Sequence, residues 1–428
     1  MYTADPAPMV YNDTLFLYTT HDEHTTENFF TMYDWQLFST KDMVNWTAHA
    51  RAASLEDFKW SERDNGAWAP QCIERNGKFY LYCPIHGDGI GVLVADSPYG
   101  PFKDPLGRRL VQSNRIWDDI DPTVFIDDDG QAYLYWGNPS LYYVKLNEDM
   151  ISFDRSVGNN GVVSVEMTPE AFGHREKADE KYKTNYEEGP WLYKRGDIYY
   201  MIYAAGGIPE YIAYSTAPSA TGPWTYRGII MGRHPELAFT NHPAIIDFKG
   251  NSYFFYHNEA LPGGGGFNRS VCVEQFEYNP DGTIPRIIPT KEGIINSVAN
   301  LNPYTRVEAE TIAWSEGVKI GSDNKIGVYV TDISNGDYIK VRSVDFGKGA
   351  KGFDAGVSCD SAGGSIEIRL GGIDGTLLGV CEVKNTGGWQ NWTVQSCKVE
   401  EVKSVQDIYF VFKGDGSNLF NFDWWMFN

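Results

Sequence analysis

Three acidic residues in this chain stand directly ahead of a proline, or of a glycine–proline pair, at the head of a recurring stretch: Asp5, Asp121 and Glu188. The five copies read DPAPMVYNDTLFLY, APQCIERNGKFYLY, DPTVFIDDDGQAYLY, GPWLYKRGDIYYMIY and HPAIIDFKGNSYFFY, with prolines at Pro6, Pro70, Pro122, Pro190 and Pro243. Each closes on a tyrosine (Tyr18, Tyr82, Tyr135, Tyr203 or Tyr256) 12 or 13 residues after its proline. The heads are Asp5, Ala69, Asp121, Glu188-Gly189 and His242. If the repeats surround an axis, three carboxyl groups converge on one place. Carboxyls held that close take different roles, because like-charge repulsion and burial keep a proton on one while another stays ionised. General acid–base chemistry needs that division. Glu187 competes with Glu188, but the glutamate directly before Gly-Pro matches the repeat position.

The elements that must position these acids are hairpins. Asn12-Asp13, Asn76-Gly77, Asp129-Gly130, Gly196-Asp197 and Lys249-Gly250 supply turn residues that tolerate positive φ, flanked by Val, Ile, Tyr, Phe and Leu. A weaker second hairpin follows each first one, so each repeat predicts a four-stranded sheet. A period of 52 to 68 residues is the mark of a radial array, which predicts a five-bladed β-propeller over residues 1–297. Helix signals reduce to one short turn at Thr168-Pro169-Glu170-Ala171. SVANLNPY breaks the pattern and makes 298–303 a linker. From 304 to 428 short alternating strands such as SIEIRLG, LLGVCEV and DIYFVF predict a β-sandwich of jelly-roll type. The fold class is therefore all-β throughout.

The chain has 57 acidic against 36 basic residues, a formal charge of −21. That field repels nucleic acid and anionic membrane surfaces, and there is no apolar run near the length of a membrane span. Aromatic residues make up 15% of the chain, more than the cores need, and exposed rings stack on sugar faces. Three of six cysteines fall in each half, so complete pairing within both is impossible, and most are expected as buried free thiols. Trp68, beside the head of the second repeat, and Arg269, after the GGGG loop, are candidate substrate contacts. His257, which follows the last closing tyrosine, is a third; a satisfied core histidine and a ligand for water or a central Ca²⁺ are the other readings. Only four residues precede Asp5, too few for a leader. Either the chain is cytoplasmic or it begins at a trimmed mature end; the second, a secreted or periplasmic protein, is the expectation.

The first 300 residues resemble glycoside hydrolase family 43, a five-bladed propeller family of inverting glycosidases, through ADPAP, IDPTVFIDDDG and EEGPW. The resemblance implies Asp5 as general base, Glu188 as general acid, and Asp121 as the residue that tunes the acid and orients substrate. The stretch NHPAIIDFKGNSYFFYHNEALPGGGGFNRSVCVEQF is most similar to the arabinoxylan arabinofuranohydrolases. Residues 304–428 resemble carbohydrate-binding module family 6 through VEAE, NGDYIKV, GGWQNW and FNFDWW. That implies Tyr329 and Trp389 sandwiching a sugar ring, Asn421 hydrogen-bonding it, and Glu308, Glu310 and Asp423 holding a structural Ca²⁺. The expected partner is arabinoxylan or xylan, met by a monomer. A β-xylosidase or bifunctional enzyme, and a non-catalytic lectin-like protein, are the alternatives.

Overall fold

The computed structural model describes residues 1–25, 29–113, 117–234 and 237–428. The chain is all-β and divides into two compact units, Met1–Leu37 with Arg51–Gly293, and Phe38–Ala50 with Ile294–Asn428.

Five antiparallel sheets build the first unit, and each copy of the repeat opens one of them. They comprise β1 (Tyr2–Tyr11), β2 (Thr14–Asp22) and β3 (Asp34–Thr40, which runs on into the second unit); β4 (Gln71–Arg75), β5 (Lys78–Ile85) and β6 (Gly89–Ala95); β7 (Thr123–Ile126), β8 (Ala132–Trp136), β9 (Tyr142–Leu146) and β10 (Val163–Ser164); β11 (Tyr186–Arg195), β12 (Ile198–Ala205), β13 (Tyr211–Ala217) and β14 (Thr225–Met231); and β15 (Ala244–Phe248), β16 (Asn251–Asn258) and β17 (Ser270–Phe276). The opening hairpins turn through residues of positive φ: Asn12 and Asp13, Asn76 and Gly77, Gly130, Gly196, and Lys249 and Gly250. The first strands pack against one another in succession, β1 with β4, β4 with β7, β7 with β11, β11 with β15, and β15 with β1.

Four strands per repeat hold for the first sheet, where Trp46–Ala48 follows β3, and for the third and fourth. Among the described residues the second and fifth have three. In the second, the outer strand shrinks to two isolated bridges, Val94 with Lys103 and Ile90 with Val111. Prolines at 98 and 101, and at 280, 285 and 289 in the fifth, remove the backbone donors a further strand would need. The short helical turn is present as α1 (Pro169–Phe172), where the Thr168 hydroxyl accepts from the Ala171 N–H.

The closing tyrosines explain why the repeat ends as it does. All five are fully buried. Four donate their hydroxyl to a distant carbonyl: Tyr18 to Pro98, Tyr82 to Met150, Tyr135 to Ala220 and Tyr203 to Phe172. Tyr256 donates to the Glu274 carboxylate instead. The ring fills the sheet's core while the hydroxyl satisfies an acceptor that burial would otherwise orphan.

The second unit encloses one apolar core between two sheets. One carries 319–323, 327–331, 421–427, 350–359 and 388–402; the other carries 314–316, 338–345, 405–413, 364–370 and 376–383. Phe353, Ile366, Ile368, Phe410, Phe422 and Trp425 meet between them with no exposed surface. Alternation along the strands does this: Ile366 and Ile368 point inward while Glu367 and Arg369 pair with each other nearer the surface.

Candidate active site

Asp5, Asp121 and Glu188 reach one cavity of about 370 Å³ in the first unit. The backbone is bent to bring them there. The β1–β2 register slips between Ala4 and Ala7, around Asp5, and the β11–β12 register slips on both sides of Glu188. Such bulges turn a side chain out of the regular alternation. Asp5 and Asp121 both sit at positive φ, 52° and 57°, directly before a proline. Gly189, also before a proline, has φ of 59°. A non-glycine residue in that region costs on the order of 1–3 kcal/mol, which the surrounding structure must offset. The equivalent of the two aspartates is thus Gly189, and Glu188 lies one residue earlier. A Cβ at Gly189 would lie 3.2 Å from His242 Nδ1, so the glycine also makes room.

Asp5 is held as a carboxylate. Arg269 Nη1 donates to its Oδ1 at 3.1 Å and the Thr20 hydroxyl to its Oδ2 at 3.1 Å. Burial alone would raise its pKa, but Arg269 above all, with the Thr20 hydrogen bond, holds it below the usual carboxylate value. Arg269 is itself fixed by Asp22, which accepts from its Nε and Nη2 at 2.9 Å each. The result is a buried Asp22–Arg269–Asp5 chain in which the one guanidinium serves two carboxylates.

His257 lies behind the cavity. It is fully buried and absent from the cavity wall. Its Nε2 donates to the Thr240 carbonyl at 2.8 Å, and its Nδ1 accepts from the Asp5 N–H at 3.3 Å. Burial, then the Arg269 charge, lowers its pKa to about 3, so it is neutral. Both ring nitrogens are used within the protein. Its place is behind Asp5, fixing the strained backbone there.

Glu188 has the opposite environment from Asp5. Its Oε2 accepts from the Asn138 side-chain amide, and no lysine or arginine pairs with it among the described residues. Burial raises its pKa to about 7, with Glu187 and Asp5 adding to the rise against Asn138 and Arg269. Asp121 accepts from the Gly189 N–H at 2.9 Å and lies 4.0 Å from His242 Nδ1. It too is pushed well up, by burial first and then by Glu188 and Asp5. Glu187, the competitor, is taken by Arg175 at 2.5 Å. A carboxylate with a fixed counter-ion and a proton-holding carboxyl therefore share one cavity.

Trp68 lines the wall, stacked on His86 with ring centroids 3.9 Å apart, and Trp117 and Phe29 extend the aromatic surface. Arg269 lines it as well, with Phe30 stacked on its guanidinium.

In the second unit, Tyr329, Trp389 and Asn421 line one shallow cavity of about 320 Å³. The ring that contacts Tyr329 is Trp392, edge-on at 5.2 Å. Asn421 is buried; it accepts from the Thr331 hydroxyl and donates to Ser358 Oγ. Of the three acids, Glu308 and Asp423 both pair with Arg306. Glu310 Oε2 and Asp423 Oδ1 are buried with no hydrogen-bond partner. Burial pushes Glu310 up to about 9 and Asp423 up to about 6. Orphaned carboxylate oxygens of this kind suit a hard cation.

The sequence model of glycosyl hydrolases family 43 matches residues 1–284. The chain belongs to glycosyl hydrolase family 43. A second match, to carbohydrate binding module family 6, covers residues 308–428. An arabinoxylan arabinofuranohydrolase of Bacillus subtilis (strain 168) is 35% identical, over 99% of this chain and 90% of its own length. One of the same name from Paenibacillus polymyxa is 34% identical, over 99% of this chain and 72% of its own. A xylosidase/arabinosidase 43A of Humicola insolens is 32% identical over 66% of this chain and 96% of its own. The crystal structure of a family 43 arabinoxylan arabinofuranohydrolase from Bacillus subtilis, in complex with cellotetraose, superposes with a TM-score of 0.85 at 33% identity, covering 100% of this chain and 96% of that one.

This family 43 glycosidase also places in its cavity four polar residues that sequence reasoning left without a role: Asn138, Glu210, Asn241 and His242. His242 stands at the head of the fifth repeat, so its position was visible while its chemistry was not. Asn138 follows the third closing tyrosine by three residues, a place no other repeat marks.

Proposed function

We propose that this glycosidase removes α-L-arabinofuranosyl side chains from arabinoxylan with inversion, using Asp5 as general base and Glu188 as general acid. One observation carries the chemistry: a carboxylate kept ionised by Arg269 and a carboxyl with a pKa raised to about 7 line the same cavity. Inversion needs this pair, one group protonating the leaving oxygen while the other activates water on the opposite sugar face. In this reading Asp121 keeps the proton on Glu188 and orients the sugar, and Trp68 and Arg269 contact it. The substrate comes from the two arabinofuranohydrolases that align along nearly the whole chain. A cavity of about 370 Å³ is at the small end of ligand sites, which favours one terminal sugar over a length of backbone. Arabinose as the early product from arabinoxylan tests the reading.

The five sheets are taken as blades of a five-bladed propeller, supported by the closed succession of their first strands. Catalysis is assigned to residues 1–297 and glycan binding to a jelly roll over 304–428, with 298–303 between. A polymeric substrate supports action outside the cell.

In the binding module we assign Tyr329 and Trp389 to the sugar faces and Asn421 to a hydroxyl. Trp389→Ala in the full chain should erase retardation by soluble xylan in a native gel, since ring stacking carries much of sugar affinity. Hydrolysis of a small aryl arabinofuranoside should be unchanged. Retained retardation would remove Trp389 from the binding face.

Glu308, Glu310 and Asp423 are assigned to a structural Ca²⁺ that would neutralise their buried charge. Ca²⁺ at a hundred times its Kd should stabilise the protein by about 2.7 kcal/mol, read as a rise in Tm that chelator reverses and Asp423→Asn abolishes. A Tm indifferent to Ca²⁺ and chelator would leave these acids to Arg306 and their protons.

A further inference from the structure

Glu210 is a buried acid to which the glycosidase reading gives no task. It stands immediately before β13, is 2% exposed, and lines the cavity that holds Glu188 and Asp121. Its Oε2 accepts from the Asn241 backbone N–H at 2.5 Å, and its own N–H donates to the Phe239 carbonyl at 3.0 Å. Asn241 directly precedes His242, which faces Asp121 at 4.0 Å. Glu210 thus ties the segment leading into β15 to the sheet that carries Glu188. A neutral amide could make the same tie, so the choice of a carboxyl calls for another reason.

The cations near the cavity have other partners; Lys181, which lines it, donates to the Tyr182 hydroxyl and lies over that ring. Arg269 serves Asp5 and Asp22, and Arg175 serves Glu187. Arg233 donates to the Gly206 and Pro209 carbonyls and lies against the Tyr211 ring. Burial lowers the pKa of both His242 and His257, so neither supplies a charge. Among the described residues Asp121, Glu188 and Glu210 have no ion pair with lysine or arginine. Three such carboxyls around one small cavity cannot all ionise, because each charge raises the cost of the next.

We propose that Glu210 is a positioning residue of the glycosidase: the third carboxyl of a proton-sharing set with Glu188 and Asp121, which keeps the acid's proton in place. This rests on the reading of Glu188 as general acid. Burial, and then Glu188 itself, push the Glu210 carboxyl well above its ordinary value, with Glu187 and Asp121 adding to the rise and the Asn241 N–H opposing it. The three groups titrate together, with steps that belong to the set. Removing one carboxyl lets the last proton leave at lower pH.

Glu210→Gln in the full chain tests this, because the glutamine oxygen can still accept from the Asn241 N–H while the titrating group is gone. The pH dependence of kcat/KM is read on arabinoxylan and on an aryl arabinofuranoside whose leaving group needs little protonation. The alkaline limb on arabinoxylan should move down by about one pH unit, a loss of about tenfold above the limb, while the aryl substrate shows no such shift. An unmoved limb in a folded variant overturns the proposal and leaves Glu210 a structural tie. Should the glutamine variant not fold, Glu210→Ala carries the same test of the limb. Glu188→Gln separates the two levels. If it keeps its rate on arabinoxylan, the acid assignment itself falls. If it is inactive there while Glu210→Gln leaves the limb in place, only the role of Glu210 falls.

Discussion

Glu188→Gln should lose arabinose release from arabinoxylan by about a hundred- to ten-thousand-fold, the usual contribution of a positioned proton donor, while an aryl arabinofuranoside with a good leaving group keeps most of its rate. The difference between substrates is the diagnostic part. The natural leaving group is a sugar hydroxyl, which cannot depart without a proton; an activated phenol can. Glutamine preserves size and still accepts from Asn138, so the fold at the bulge should survive. The same proton sets the pH profile. Glu188 must be protonated to act, and its pKa is raised to about 7, so activity on the polymer should fall as pH rises through that value. Equal loss on both substrates would point away from Glu188 as the acid.

Asp5→Asn should remove activity on both substrates to a comparable extent, because attack by water is needed whatever leaves. Arg269 would keep Asp22 as its partner, so the variant should fold. Since Asp5 is held below the usual carboxylate range, the wild-type acid limb should lie below the ordinary aspartate value, with activity lost only as pH falls through it. Substantial rescue of Asp5→Asn by azide, with a glycosyl azide of retained configuration, would mean that a covalent intermediate forms on another group, so that the mechanism is of the retaining kind and Asp5 is not the base that activates water.

The acids and the closing tyrosines were legible because a repeat exposes them: equivalent places in the chain become equivalent places around the sheets. What the repeat does not encode is contact at long range. Asp22 and Arg269 lie 247 residues apart, and nothing local at either predicts that one guanidinium will serve Asp22 and Asp5 together. His257 lies behind the cavity for a related reason. Its position after a closing tyrosine suggested the cavity, but the strained Asp5 backbone turned its N–H toward the ring. Glu210 and Asn138 sit just beyond strand ends, where hairpin logic says little about direction. In the second unit the pattern placed Tyr329, Trp389 and Asn421 around one cavity, but gave no sign that Trp392 would lie edge-on to Tyr329. A register slip in the 350–359 and 388–402 pairing, between Val357 and Cys359, lies beside that cavity, and a slip changes which residues share a side. The aromatic surplus fitted a lectin as well as an enzyme; family membership, with a proton-holding acid facing a fixed carboxylate, makes it a glycosidase.

The most direct test of the account is to incubate the full-length protein with soluble arabinoxylan and follow free sugars and viscosity together. A debranching arabinofuranosidase predicts arabinose as the early product with no fall in viscosity. Xylose released from short oligosaccharides in place of arabinose, or a rapid fall in viscosity with xylo-oligosaccharide products, would contradict it.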